Sequence, residues 1–168
     1  KNRHYIEDLK NHVGEKVTLK GWAYSTRSSG KIKFLLLRDG TGLCQCIFFK
    51  GECEPEAMEN FSTLTQECSV EVTGTVREEP RSPGGVELGA ESFKLLGESV
   101  DYPITPKEHG VDYLMNHRHL WLRSKKQHAL MRVRHEVISA IRDFFNGRGF
   151  TLMDAPIFTP NACEGTST

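Results

Sequence analysis

The sequence predicts a closed all-β barrel of five short strands, followed by a linker and the first helix and strand of an α+β domain. Three observations support this. Apolar and polar residues alternate with period two through most of residues 16–96. One helical pattern interrupts the alternation between the third and fourth strands. After residue 124 the apolar residues recur at spacings of three and four instead, which is typical of a helix.

Each strand follows from its alternation and from the turn residues that bound it. The predicted strands span residues 17–24, 32–38, 43–49, 68–76 and 86–96. Ser28-Ser29-Gly30 and Asp39-Gly40-Thr41-Gly42 are turn signals that join the first three strands. Residues 6–13 predict a short leading helix, and residues 80–85 a loop.

The helix within the barrel is predicted over residues 55–66, where Met58, Phe61 and Leu64 form one apolar stripe. Five strands with a helix between the third and fourth is the order of an OB fold, a small Greek-key barrel. An SH3-like barrel without a nucleic-acid role is the alternative. Many OB folds bind single-stranded nucleic acid through a positive groove and stacking aromatic rings.

Composition excludes several classes of protein. Lys and Arg total 22 and Asp and Glu total 22, which argues against a wholly basic coat protein and against a highly charged disordered chain. The sequence contains no run of about 18 apolar residues, so we expect no transmembrane helix. The first ten residues lack the apolar core of a signal peptide, so we expect a cytoplasmic protein.

The charges are unevenly distributed, with nine basic and three acidic residues in 1–38, and eight glutamates against one arginine in 52–79. A neutral total can therefore hide a positive face that attracts phosphates, although ordinary solvated surface is the alternative.

The five cysteines predict reduced thiols and no metal site. Cys44 and Cys46 are too closely spaced for the usual zinc motif, and no Cys-x-x-Cys pair follows.

Candidate binding residues lie on the outward face of the second and third strands. Leu35 and Leu37 are expected to point into the core, so Phe34 points outward as a platform on which a base can stack. Its expected basic neighbours are Lys31, Lys33 and Arg38. The Gln45 amide can donate and accept at a base edge, and Arg27 can reach a base or a phosphate. An ordinary surface role is the alternative for each.

Proline and histidine in residues 101–123 indicate a linker. Ser124 and Gln127 resemble a capping box that starts a helix running to about Asn146. This helix is apolar over a wide arc, so we expect one side to face its own domain and the other a partner subunit. Burial within one larger domain is the alternative. Residues 150–153 predict a strand.

Several motifs together resemble one enzyme family. The most specific stretches are residues 30–42, 106–110 and 116–123. The long helix, Arg148-Gly149-Phe150 and Pro156 resemble motif 1 of class II aminoacyl-tRNA synthetases, and residues 163–166 resemble an amino-acid-binding loop. The chain is similar to the N-terminal part of asparaginyl-tRNA synthetases, which are class IIb enzymes.

This resemblance implies a role for each part of the chain. Residues 1–100 would be the OB-fold anticodon-binding domain, 101–123 the linker, and 124–168 the incomplete start of the catalytic domain. Arg27, Phe34 and Gln45 match the residues of the family that bind the tRNA anticodon. Glu164 matches the glutamate that binds the α-ammonium group of asparagine. The residues implied in the homodimer interface are Leu130, Val137, Ile141 and Pro156.

The family joins asparagine to its tRNA through an asparaginyl-adenylate, using ATP and Mg²⁺. Motifs 2 and 3, which bind ATP, have no match here, so we expect no catalytic residues and no bound cofactor in this chain alone. An aspartyl-tRNA synthetase that charges one or both tRNAs is one alternative. A stand-alone OB-fold RNA-binding module is another, and a lysyl-type synthetase fits less well.

Overall fold

The computed structural model describes residues 4–158, and they form two compact units that divide between His117 and Arg118. The first unit contains five strands, which are β1 (Lys16–Ser29), β2 (Ile32–Arg38), β3 (Leu43–Phe49), β4 (Ser69–Glu78) and β5 (Val86–Gly97). They form a closed barrel with the strand order β1-β2-β3-β5-β4. Strands β3 and β5 pair in parallel and all other neighbours are antiparallel. This confirms the predicted OB-fold topology.

The bounds of β2 and β3 agree with the sequence pattern, because the turn of residues 39–42 joins the two strands and sets their register. Leu35 and Leu37 are fully buried, as their alternation predicts. Strand β1 runs five residues further than predicted. A register shift between Ala23 and Ser25 lets it bend and continue its pairing with β2 up to Ser29.

The helical segment between β3 and β4 adds buried side chains to the core of the barrel. It consists of α1 (Pro55–Glu59) and a 3₁₀ helix (Asn60–Thr63), so the single helix predicted over residues 55–66 is shorter and divided. Phe61 and Leu64 are buried, and the Phe61 ring contacts Phe48 edge-on at a centroid distance of 5.6 Å. A 3₁₀ helix (Ile6–His12) precedes β1.

Much of the stretch expected as a linker packs within the first unit. It contains α2 (Val111–Asn116), and Ile104 and Leu114 are buried. The Gln66 amide donates a hydrogen bond of 2.8 Å to the Ile104 carbonyl, which attaches this segment to the turn before β4.

The second unit is dominated by α3 (Lys125–Asn146), preceded by a 3₁₀ helix (Trp121–Arg123). The predicted capping box is wrong, because the Ser124 side chain makes no cap hydrogen bond. Gly149 has a φ of +80°, which ends the helical segment. The strand predicted over residues 150–153 does not form, because the described residues provide no neighbouring strand there.

No helix within residues 4–158 is long and apolar enough to cross a membrane.

Candidate nucleic-acid interface

The strand register places a row of side chains across the outer face of the barrel. Arg27 on β1 lies opposite Phe34 on β2, and Phe34 lies opposite Ile47 on β3. Ile47 in turn lies opposite Gly89 on β5. Gly89 has no side chain, and the Arg77 guanidinium lies over it, with its Nε 2.6 Å from the position that a Cβ on Gly89 would take.

A second row lies two residues away on the same face. Gln45 on β3 is flanked by Leu36 on β2 and by Glu87 on β5. The two rows and the β4–β5 loop together enclose a cleft of about 410 Å³. The cleft brings together Arg27, Phe34 and Gln45, the three candidate binding residues of the sequence analysis. Its lining residues are Arg27, Phe34, Gln45, Ile47, Glu79, Arg81, Ser82 and Glu87.

Phe34 is half-buried and stays outside the hydrophobic core of the barrel. The guanidinium carbon of Arg27 lies 4.0 Å from the centroid of the Phe34 ring, which is a cation–π contact between directly opposite residues. Phe34 is therefore an aromatic surface within the cleft, as predicted.

Gln45 is held from the β5 side. Its amide nitrogen lies 3.4 Å from the Ser82 hydroxyl and 3.4 Å from a carboxylate oxygen of Glu87. The Ser82 hydroxyl also donates to Glu87 at 3.3 Å. These contacts use the donor side of the amide. Among the described residues, none donates a hydrogen bond to the side-chain oxygen Oε1 of Gln45, which remains available to accept one.

The charges of the cleft are mixed rather than uniformly positive. Arg81 donates to Glu79 from Nε at 3.0 Å, and this contact lowers the pKa of the Glu79 carboxyl below its usual value. With Arg27 and Glu87, the lining therefore contains two arginines and two glutamates. Within the cleft, positive charge therefore comes only from the guanidinium groups of Arg27 and Arg81.

Arg38, which we expected beside Phe34, lies elsewhere. Its guanidinium donates to Glu67 at 2.7 and 2.5 Å, and its side chain is only 15% exposed. Lys33 also turns away from the cleft, with its ammonium nitrogen 5.6 Å from the centroid of the Phe61 ring. The prediction that these two basic residues border the platform is wrong.

Five residues of the cleft were missed by sequence reasoning. Ile47 was assigned to a strand but not to the site. Glu79, Arg81 and Ser82 belong to a segment that we interpreted only as a strand end and a loop. Glu87 was missed because β3 and β5 are distant in sequence. The OB-fold order itself places β5 beside β3, so the alternation of β5 contained the signal that Glu87 faces Gln45.

The predicted dimer residues are exposed. Leu130, Val137 and Ile141 are 50–54% exposed, and α3, which lies within the described residues, buries none of its side chains. Pro156 is also exposed. Glu164, predicted for asparagine binding, lies outside the described residues.

Within residues 4–158, no group of three or more His, Cys, Asp or Glu side chains is placed to hold a metal ion. Cys44, Cys46 and Cys68 are buried free thiols, and burial raises the pKa of Cys68. Cys163 lies outside the described residues.

The chain matches two protein families in succession. Residues 17–96 match the OB-fold nucleic acid binding domain family, and residues 110–168 match the class II tRNA synthetases of the D, K and N type. A curated asparagine–tRNA ligase of Sorangium cellulosum is 57% identical over 96% of this chain. The chain belongs to the asparaginyl-tRNA synthetase family. Another member, from Chloroflexus aurantiacus, is 51% identical over 96% of the chain.

The chain spans 36–37% of the length of these two curated relatives. A crystal structure of asparaginyl-tRNA synthetase from Pyrococcus horikoshii, complexed with asparaginyl-adenylate, superposes with a TM-score of 0.83 at 32% identity. That comparison covers 99% of this chain and 39% of the solved chain. The barrel and the long helix thus occur together, in this order, in the relatives.

Proposed function

We propose that this chain is part of an asparagine–tRNA ligase and that its barrel binds the anticodon loop of tRNA. The observation that carries this proposal is the convergence of Arg27, Phe34 and Gln45 on one cleft of an OB fold. The three residues come from three different strands, and only the barrel register brings them together. Their chemistry suits an unpaired nucleotide, with a flat apolar ring, an amide and a cation.

Each side chain has a distinct task in this proposal. An unpaired base stacks on Phe34, which stabilises binding by about 1–3 kcal/mol. The Gln45 amide reads the base edge, and its free carbonyl oxygen accepts from an N–H of the base. Arg27 supplies positive charge for the phosphate backbone. The partial neutralisation of the cleft by Glu79 and Glu87 disfavours binding that depends on phosphate alone.

The proposed activity of the full-length enzyme is the ATP-dependent attachment of asparagine to tRNA through asparaginyl-adenylate, in the cytoplasm. ATP supplies the activated phosphate, and Mg²⁺ neutralises its charge. The described residues contain no cluster suited to Mg²⁺, and motifs 2 and 3 have no match in the sequence, so we assign neither group to this chain. The proposed contribution of this chain is to bind and orient the tRNA.

Two further parts of the proposal concern the second unit. The apolar side of α3, with Pro156, forms the homodimer interface of the full-length enzyme. Six of its large apolar side chains are at least 46% exposed, which supports a covering surface from another chain or domain: Leu130, Val133, Val137, Ile141, Phe144 and Phe145. Glu164 binds the α-ammonium group of asparagine in this proposal.

Aminoacylation by the full-length enzyme tests the proposed activity. We expect it to charge the asparagine tRNA with asparagine and to reject aspartate. Charging with aspartate would favour the aspartyl alternative instead. This chain alone, purified separately, should bind an anticodon stem-loop but give only background ATP–pyrophosphate exchange. Exchange above background by the chain alone would contradict our assignment of the ATP site to other parts of the enzyme.

A further inference from the structure

The stacking surface of the cleft is already occupied by a side chain of the protein. The Arg27 guanidinium carbon lies 4.0 Å from the centroid of the Phe34 ring, so the guanidinium covers a ring face on which a base could stack. Ile47 is the neighbour of Phe34 on the other side of the row, so Arg27 and Ile47 flank the ring. A base and the guanidinium therefore compete for one surface.

Arg27 is free to move away from the ring. The side chain is exposed, and within residues 4–158 no carboxylate pairs with it. Arg81, the other arginine of the cleft, is by contrast held by Glu79. The ring contact is thus the interaction that positions the Arg27 guanidinium in the unbound protein, and it is weak enough to be exchanged for a phosphate contact.

We propose that Arg27 covers Phe34 in the unbound protein and that a base displaces it, after which the guanidinium pairs with the RNA backbone. This inference rests on the proposed function of the cleft and adds a second task for Arg27. A ligand with phosphates gains a charge contact that compensates for uncovering the ring. A ligand that offers a base without negative charge has to uncover the ring with no such compensation. Arg27 therefore selects for bases that are attached to a charged backbone.

The experiment separates two effects of Arg27, its contact with the Phe34 ring and its charge contact with phosphate. It uses two probes of the same nucleotide sequence. Both are anticodon-loop oligonucleotides, one with phosphodiester and one with uncharged methylphosphonate linkages. Arg27→Ala is expected to bind the uncharged probe about two- to fivefold more tightly, because an exposed cation–π contact no longer competes. It is expected to bind the phosphodiester probe more weakly, because a phosphate contact is lost. Arg27→Lys should recover part of the phosphodiester binding.

Lys31→Ala is the matched control, because Lys31, although expected beside Phe34, is an exposed cation of the same hairpin that does not line the cleft. It should leave binding of the uncharged probe unchanged. If Arg27→Ala leaves binding of the uncharged probe unchanged or weakens it, Arg27 is only a binding contact, and the proposal that it covers the Phe34 ring is wrong. If the wild-type chain binds neither probe, or if Phe34→Ala binds both as well as the wild type does, the proposed function of the cleft fails instead.

Discussion

Arg38 and Glu67 form a buried ion pair at the start of β4, with two hydrogen bonds of 2.7 and 2.5 Å. Their side chains are only 15% and 5% exposed. Glu67 has a φ of +63°, a left-handed conformation that is unfavourable for a residue with a side chain, and its amide donates to the Ala23 carbonyl at 2.7 Å. The ion pair and this backbone contact together hold the strained turn.

Glu67→Gln should destabilise the barrel by about 3–5 kcal/mol, because it leaves the buried Arg38 guanidinium without its counter-charge. The free energy of unfolding can be measured from Trp22 fluorescence in a Trp121→Phe background, so that only the barrel reports. Glu71→Gln is the control, since its partner Lys20 is 53% exposed and such pairs contribute at most about 1 kcal/mol. Equal losses in the two variants would contradict this account.

The stability of the barrel should depend on pH through Asp39. Burial acts to raise the pKa of this carboxyl, but hydrogen bonds from Ile6, Thr41 and Gly42 outweigh burial and lower it below the usual value of 3.8. Because the folded-state pKa is the lower one, this stabilisation is present above the unfolded value. It is lost as the pH falls through the folded value.

Asp39→Asn removes this dependence, because the amide does not titrate and its nitrogen donates instead of accepting from the Ile6 amide. In urea unfolding between about pH 3 and 7, the gap between wild type and variant should be constant above about pH 5 and shrink below about pH 4. Asp8→Asn, at an exposed position, should show no such change. If the difference in free energy of unfolding between wild type and Asp39→Asn widens toward low pH, the proposed role of Asp39 is contradicted.

The local parts of this fold could be predicted from sequence. Phe34 and Gln45 were placed correctly because strong turns fix the β2–β3 hairpin, and period-two alternation then decides which side chains face outward. Alternation also put Arg38 on the outer face. It did not reveal that Arg38 pairs with Glu67, 29 residues away in a turn with positive φ.

The parts that sequence reasoning missed depend on non-local geometry. Glu87 reaches Gln45 only because β3 and β5 pair in parallel across 42 residues of sequence. The strand expected at residues 150–153 failed for a related reason, since alternation describes a strand but does not supply its neighbour. Local pattern therefore predicted that Phe34 and Gln45 face outward, but not the side chains that complete the cleft.

Phe34→Ala should weaken binding of the anticodon stem-loop by about 1–3 kcal/mol, the usual loss for one stacked base. Fluorescence anisotropy at fixed salt measures the dissociation constant. Phe49→Ala is a matched control, because Phe49 is a 38% exposed ring on the same barrel but lies outside the cleft. An unchanged dissociation constant for Phe34→Ala would remove this ring from the binding site.

Gln45→Ala should relax base selectivity rather than abolish affinity. A stem-loop with one anticodon base replaced is expected to bind the wild type more weakly, by about 1–3 kcal/mol where a paired edge is lost. The variant should lose this difference at one position only. Phe34→Ala provides the contrast, because stacking tolerates any base and its loss should be similar for all sequences. A uniform loss in Gln45→Ala would mean that the amide reads no base.

Ile141→Asp should dissociate the proposed homodimer of the full-length enzyme. Ile141 is 54% exposed at the centre of the apolar side of α3, and a buried carboxylate without a partner is strongly unfavourable in an interface. Sedimentation velocity measures the change in mass. Ser139→Asp is the matched control, because helical geometry places this residue on the opposite, polar side of α3. If Ile141→Asp remains a dimer, the apolar side of α3 is covered by another part of the same chain instead.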